Sequence, residues 1–224
     1  MNTEKELLSF RDAAEQARRS EKTVLLLRHS MRESLKNGTS DPTLTPEGME
    51  YARSCGALLS LPGTTGSGAS PRKRTVQTAK LLSRGMTGGG SQGEVRIFPE
   101  ISDTAMFKNP EKLDMALRDW DIPALLRQYY CTGTAPGMKD LEPFSAGLVR
   151  FLTETEFGCR NMVLVTHDIL IVALLTALRV RIFTPDDWCG YIEGAALFRS
   201  SDGRWTIAYA VPDVRTRKKM TLFI

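Results

Sequence analysis

Two short apolar runs, Thr23 to Leu27 (TVLLL) and Met162 to Thr166 (MVLVT), are continuous rather than alternating, and each gives way almost at once to a histidine. A run without polar alternation suits a strand covered on both faces, the ordinary state of parallel strands flanked by helices. Open α/β sheets of that kind collect ligands beyond the carboxyl ends of their strands. The chain contains only two histidines, His29 and His167, and both stand at such junctions. The spacing therefore predicts a strand-to-helix turn at each, with the two rings as functional groups.

The remaining pattern is consistent with one domain spanning residues 1–224. Leu7, Phe10, Ala14 and Ala17 fall at helical spacing and predict an opening helix over residues 4–19. Thr45, Pro46 and Glu47 read as N-cap, first helical position and first-turn acid of a helix within Thr43 to Ser60, which Pro62 and Gly63 end. A Gly/Ser/Thr-rich connection leads to helical character from Pro71 to Leu82, and Gly88 to Gly90 mark a turn. Glu94 to Phe98 can form a strand. From about residue 99 to 145 the pattern loses regularity, which predicts an excursion over one end of the sheet, with a helix from Glu111 to Tyr130 and a loop at TGTAPG. Ile169 to Arg179 predicts a buried helix, and Gly194 to Arg199 with Thr206 to Ala210 a strand pair turning at Asp202 and Gly203.

Composition narrows the function classes. With 42% hydrophobic and 25% charged residues and a mean hydropathy of -0.22, the chain reads as globular. The longest apolar stretch, Ile169 to Leu178, is about half the roughly 20 residues of a membrane span. The opening MNTEKELLSF lacks a secretory pattern, so the expectation is a cytoplasmic protein with no membrane role. A net charge of +4 suits anionic ligands, but the basic residues are scattered without an aromatic platform, which argues against nucleic acid. The basic tail from Arg215 to Met220 reads as a solvated surface. Cys55, Cys131, Cys159 and Cys189 form no CxxC pair, so reduced structural thiols are expected rather than a zinc or redox site. Trp120, Tyr129, Tyr130 and Trp188 suit either core packing or a substrate entrance.

Three motifs carry chemistry: RHSMR at 28 to 32, SPRKRTVQTA at 70 to 79 and VTHD at 165 to 168. Together and in this order they resemble the histidine phosphatase superfamily, which includes phosphoglycerate mutases and histidine acid phosphatases, over roughly Thr23 to Leu178. The resemblance implies a three-layer α/β/α sandwich with a mostly parallel central sheet, phosphoglycerate mutase-like. It implies that His29 attacks phosphorus and forms a covalent phosphohistidine, while Arg28, Arg74 and His167 bind the phosphoryl oxygens. The chemistry is coherent: planar guanidinium groups donate paired hydrogen bonds to a transferring phosphoryl group. No metal or other cofactor is expected, because these cations supply the field that magnesium supplies elsewhere.

The resemblance divides over the proton donor to the leaving oxygen. Mutase-like members use a mid-chain glutamate, for which Glu100 is the candidate; acid phosphatase-like members use the aspartate of an HD pair, matched by Asp168. Asp168 is the favoured acid, with Arg32 matching the additional phosphate-binding arginine of that branch; a helix-capping role for Asp168 is compatible. Ser30 replaces the usual glycine of the motif, and Ser34 a proline. The expected function is a metal-independent phosphatase acting on a small-molecule phosphomonoester. A mutase-like phosphotransferase and a non-catalytic phospholigand-binding protein are the alternatives, and association into a homodimer stays open.

Overall fold

A computed structural model describes residues 7–34, 41–90, 93–119, 122–184 and 186–213. Its centre is a seven-stranded sheet. The strands are β1 (Leu7–Ser9), β2 (Lys22–Arg28), β3 (Thr65–Ala69), β4 (Val95–Ile97), β5 (Asn161–Thr166), β6 (Gly194–Arg199) and β7 (Trp205–Val211), and they lie in the order β1-β7-β6-β2-β5-β3-β4. Strands β2, β5, β3 and β4 are parallel neighbours, and β1 runs parallel to β7. Only β6 runs against its neighbours β2 and β7. The fold is α/β and mostly parallel, as the apolar runs imply.

The continuous runs are explained by which face each residue serves. On β2, Val24 and Leu26 join one core cluster and Leu25 and Leu27 the other; on β5, Met162 and Leu164 alternate in the same way with Val163 and Val165. The first cluster is closed by α6 (Leu141–Glu154) and α7 (Asp168–Ala177), with Leu113 of α4 (Pro110–Asp119) and Leu125 and Tyr129 of α5 (Ile122–Thr132). The second is closed by α1 (Phe10–Arg18), α2 (Pro46–Leu58) and α3 (Lys73–Met86). The three layers are thus helices, sheet and helices. Leu170 to Leu175 of α7 are all buried, and among the described residues no helix is long and apolar enough to cross a membrane.

Several local expectations change. The opening helix begins at Phe10, because the Ser9 hydroxyl accepts the Asp12 N–H at 3.1 Å and the Asp12 carboxylate reaches back to the Ser9 N–H. That capping box releases Leu7 and Leu8 to pair with β7. The Gly/Ser-rich connection contains β3, between β4 and β5 in the sheet. Its composition is poor for a strand, but a side chain at Gly68 would stand 2.6 Å from Phe98 and 2.8 Å from Leu164 and Met162. Glycine is used there for close approach. The helix expected from Glu111 to Tyr130 is two helices, α4 and α5, and residues 141–154, given no element by the sequence pattern, form α6. Trp120 and the basic tail lie outside the described residues.

Helices α2 and α3 approach through reciprocal glycines. A Cβ on Gly56 would lie 2.2 Å from the Leu82 carbonyl oxygen, and one on Gly85 2.1 Å from that of Arg53. Backbone atoms cannot swing aside as side-chain ends can. Gly56→Ala should therefore destabilise the fold by about 1–3 kcal/mol, although alanine is the better helix former by about 1 kcal/mol. Urea denaturation checks the sign; a more stable variant would show that the helices separate freely.

Candidate active site

The register of the parallel strands brings the site together. Arg28 at the end of β2 is paired with Thr166 at the end of β5, and Ala69 at the end of β3 with Val165. The next residues along the chain are therefore neighbours: His29 from β2, His167 from β5 and Ser70 from β3. β4 ends beside Ala69 and leads into two short 3-10 helices, Pro99–Ile101 and Asp103–Met106, which bring in Asp103. Gly194, opening the antiparallel β6, pairs with Leu27, so the preceding segment 189–193 reaches the same end. His167 is the N-cap of α7, as a strand-to-helix junction requires. His29 differs, since a loop with an Arg32–Leu44 bridge separates it from α2.

Hydrogen bonds at the ring nitrogens fix the proton of each imidazole. His29 Nδ1 lies 2.7 Å from the Ser30 carbonyl oxygen, which can only accept. Nδ1 therefore carries hydrogen, and Nε2 keeps its lone pair. For His167, Nδ1 lies 3.2 Å from an Arg74 guanidinium nitrogen, which can only donate. Its Nε2–H then donates to the Ser70 hydroxyl at 2.9 Å, which passes its own hydrogen to Thr75 Oγ1, also at 2.9 Å. The Thr75 hydroxyl is satisfied at the Arg72 carbonyl, 2.7 Å away. The two rings meet edge to face, 5.5 Å between centroids.

Burial is the largest influence on both rings. It pushes His29 down to about 3, with Arg28, His167 and Arg74 lowering it further against the Ser30 carbonyl. Burial likewise pushes His167 down to about 4, helped by Arg74 and Arg72 and opposed by Asp103 and Asp168. Both rings are neutral near neutrality.

The cations are held by carboxylates and backbone. Arg28 donates to the Cys189 carbonyl at 2.6 Å, pairs with Asp168 at 3.0 Å and stacks over Tyr191 at 4.4 Å. That ring is positioned by a strained turn: buried Ile192 has φ 59°, a conformation rare for a β-branched residue, and its N–H bonds the Arg28 carbonyl. Glu193 braces the same turn by accepting from the Gly190 N–H at 2.7 Å and from the Tyr209 hydroxyl. Arg74 is only 9% exposed and reaches Asp41 at 3.5 Å and Asp103 at 3.4 Å. Arg32 bonds the Glu33 carbonyl at 3.0 Å and adds its positive charge at Arg74.

Asp168 is the first residue of α7 rather than its cap. Its carboxylate accepts from the Ile169 N–H at 2.9 Å and the Trp188 indole at 3.1 Å, besides Arg28. Burial alone would raise its pKa, but Arg28, Trp188 and His29 hold it below the usual carboxylate range. Glu100 is exposed and lines a hollow of about 570 Å³ with Lys108, Lys139, Phe144 and Phe151, away from the ring pair's own partners. The structure thus groups Arg28, His29, Arg74, His167 and Asp168 directly, with Arg32 beside them. Sequence reasoning missed Asp103, Ser70 and Tyr191. Ser70 stood within a quoted motif, whereas Asp103 and Tyr191 carry no pattern of their own. Arg72 pairs with Asp103 at 3.1 Å.

At the carboxyl ends of parallel strands, two neutral imidazoles, that of His29 with a free Nε2, lie among guanidinium groups, an arrangement suited to an anion. The chain belongs to the histidine phosphatase superfamily: residues 24–189 match the model of its branch 1. No curated protein sequence matches it. Solved structures share the fold at low identity. A phosphoglycerate mutase from Bacillus anthracis is 18% identical with a TM-score of 0.57, covering 90% of this chain and 98% of its own. A mycobacterial glucosyl-3-phosphoglycerate phosphatase is 19% identical with a TM-score of 0.55, covering 84% and 98%. A phosphoserine phosphatase from Entamoeba histolytica is 15% identical with a TM-score of 0.53, covering 84% and 96%. These neighbours include both mutase and phosphatases.

The tautomers and depressed pKa values are measurable together. Nitrogen-15 NMR of the free protein should show hydrogen on Nδ1 of His29 and on Nε2 of His167. With midpoints at about 3 and about 4, neither ring should titrate above roughly pH 5. The unfolded chain takes up these protons near 6.5, so this contribution to stability is complete above that pH and is lost as pH falls toward the folded midpoints. A histidine midpoint near 6.5 in the folded protein would refute the buried arrangement.

Proposed function

We propose that the chain is a metal-independent phosphatase that hydrolyses small-molecule phosphomonoesters through a phosphohistidine on His29. The observation that carries the reading is the His29 ring itself, whose Nδ1 is committed to the Ser30 carbonyl at 2.7 Å while the neutral Nε2 keeps a lone pair among Arg28, Arg74 and His167. A nucleophile must be deprotonated and oriented before substrate arrives, and the backbone carbonyl does both. Arg28, Arg32, Arg74 and His167 bind the phosphoryl oxygens and spread the charge that develops on them.

His167 takes part as a donor. Its Nδ1 accepts from Arg74; a phosphoryl oxygen competes for that N–H and for the ring, and protonation of His167 beside a dianion turns the acceptor nitrogen into a donor. Asp168 is the other candidate participant, and its three donors favour its ionised form, in which it holds Arg28 toward the phosphoryl group. The positive field comes from the protein's own side chains, so chelation leaves the rate intact. Hydrolysis is favoured over mutase-like transfer because no second dedicated anion site stands out in the motifs; the non-catalytic reading leaves the oriented Nε2 of His29 without a use.

Purified protein should release phosphate from an aryl phosphate in the presence of EDTA, and acid quenching should trap an acid-labile phosphoprotein. His29→Ala should lower the rate by at least about 10³-fold and abolish the trapped species. Full activity in that variant would remove His29 from the mechanism, and a trapped phosphoprotein that returns its phosphoryl group to a bisphosphate faster than to water would identify a mutase.

A further inference from the structure

Arg28 adjoins the nucleophile, and the way its guanidinium is held points to a side chain outside the three motifs. We infer that Tyr191 is a positioning residue, whose ring fixes the plane of the Arg28 guanidinium so that its remaining donors face the phosphoryl group; this rests on the phosphatase reading above.

A guanidinium keeps one orientation only when its edges and its faces are both constrained. The edge of Arg28 is held from one side: Nη1 donates to the Cys189 carbonyl at 2.6 Å and Nη2 pairs with Asp168 at 3.0 Å. These contacts use two of the five N–H groups of the fork. Nε is buried and has no hydrogen-bond partner among the described residues, so it is a donor that a phosphoryl oxygen can take up. Bonds along one edge still let the plane rock about them. The face is held by Tyr191, whose ring centroid lies 4.4 Å from the guanidinium carbon. The same ring stands 6.1 Å from that of His29, so it rests against both the nucleophile and the cation beside it.

Core packing does not account for this placement, since Tyr191 is half-buried and belongs to neither core cluster. The backbone is bent to deliver it. Ile192 has φ 59°. The other positive φ among the described non-glycine residues is at Arg179, directly after the C-cap Leu178 of α7, where that conformation ordinarily closes a helix. Ile192 closes no helix, and a β-branched side chain resists the conformation. What keeps it there is tied to Arg28 itself. The Ile192 N–H donates to the Arg28 carbonyl at 3.1 Å, and the Arg28 N–H to the Glu193 carbonyl at 2.9 Å. The Glu193 carboxylate accepts from the Gly190 N–H and the Tyr209 hydroxyl, and a Cβ on Gly190 would lie 2.8 Å from its carboxyl carbon. A turn constrained from so many sides keeps the ring in one place relative to the guanidinium.

The consequence lies in binding as well as in rate. Phosphoryl oxygens carry charge in the substrate, in the transition state and in released phosphate, so an Arg28 that rocks weakens the grip on all three. A loss of folded protein lowers kcat and leaves KM alone.

Steady-state kinetics on nitrophenyl phosphate, with inorganic phosphate as competitive inhibitor, separate the two. Tyr191→Leu should lower kcat/KM by about 5- to 30-fold and raise the phosphate inhibition constant in step with KM, with an unchanged unfolding midpoint. Tyr191→Met fills the same space without a planar face and serves in its place if the leucine variant folds poorly. Tyr191→Phe, which keeps the ring, should recover the wild-type values to within about threefold. In an Arg28→Lys background, where no planar group remains to be oriented, Tyr191→Leu should cost less than about twofold more. A fall in kcat with KM and the phosphate constant unchanged overturns the inference, as do a phenylalanine variant as impaired as the leucine one and equal losses with arginine and with lysine at position 28. A wild-type protein that neither hydrolyses the substrate nor traps a phosphohistidine removes the phosphatase reading and this inference together, whereas an active wild type matched by Tyr191→Leu removes Tyr191 alone.

Discussion

Burial of the central strands on both faces is the constraint from which the rest follows. β2 and β5 have no solvent-facing side, so Val24 to Leu27 and Met162 to Val165 are apolar, and chemistry is confined to where the strands stop. Because β2, β5, β3 and β4 are parallel and in register, their carboxyl ends open on one place. His29, His167, Ser70 and Asp103 come from four strand ends, and no two of these ends are connected by a short turn. A site assembled this way is as rigid as the sheet, which suits a reaction whose catalysis is mostly positioning and electrostatics.

The same burial sets the electrostatics. Guanidinium groups that would hold a phosphoryl dianion are costly to keep in a dry site without counter-charge. The protein offsets that cost with Asp168 at Arg28, and with Asp41 and Asp103 at Arg74. The two imidazoles answer the field in the other way, by staying neutral.

What was legible in the sequence was whatever depends on long runs or on paired signals. The apolar runs identified β2 and β5, the Thr45-Pro46 signal located the start of α2, and two histidines beside strand ends pointed to the site. The parts missed depend on partners far along the chain. TGSGA fits between β4 and β5 because Phe98, Met162 and Leu164 pack where a side chain at Gly68 would stand, which no window around residue 66 can reveal. Ser9 and Asp12 do form a readable capping box, so the position of β1 was available to a closer reading. Asp103 and Tyr191 act through tertiary contacts with Arg72, Arg74 and Arg28, and their neighbours in sequence say nothing of this.

Ser30 shows how a departure from a family pattern is absorbed. A serine in place of the motif's glycine is costly where the backbone needs positive φ, but among the described non-glycine residues positive φ occurs only at Arg179 and Ile192. The buried Ser30 hydroxyl donates to the Gly48 carbonyl at 2.7 Å, and its N–H donates to Thr78 Oγ1 at 3.0 Å. One residue thus ties the carbonyl that orients His29 to both α2 and α3. Gly48 in turn can carry no side chain, since a Cβ there would lie 2.1 Å from the Met31 carbonyl oxygen. The loop thus accommodates serine at this position, and its hydroxyl ties the support of the His29 ring to the helix it rests on.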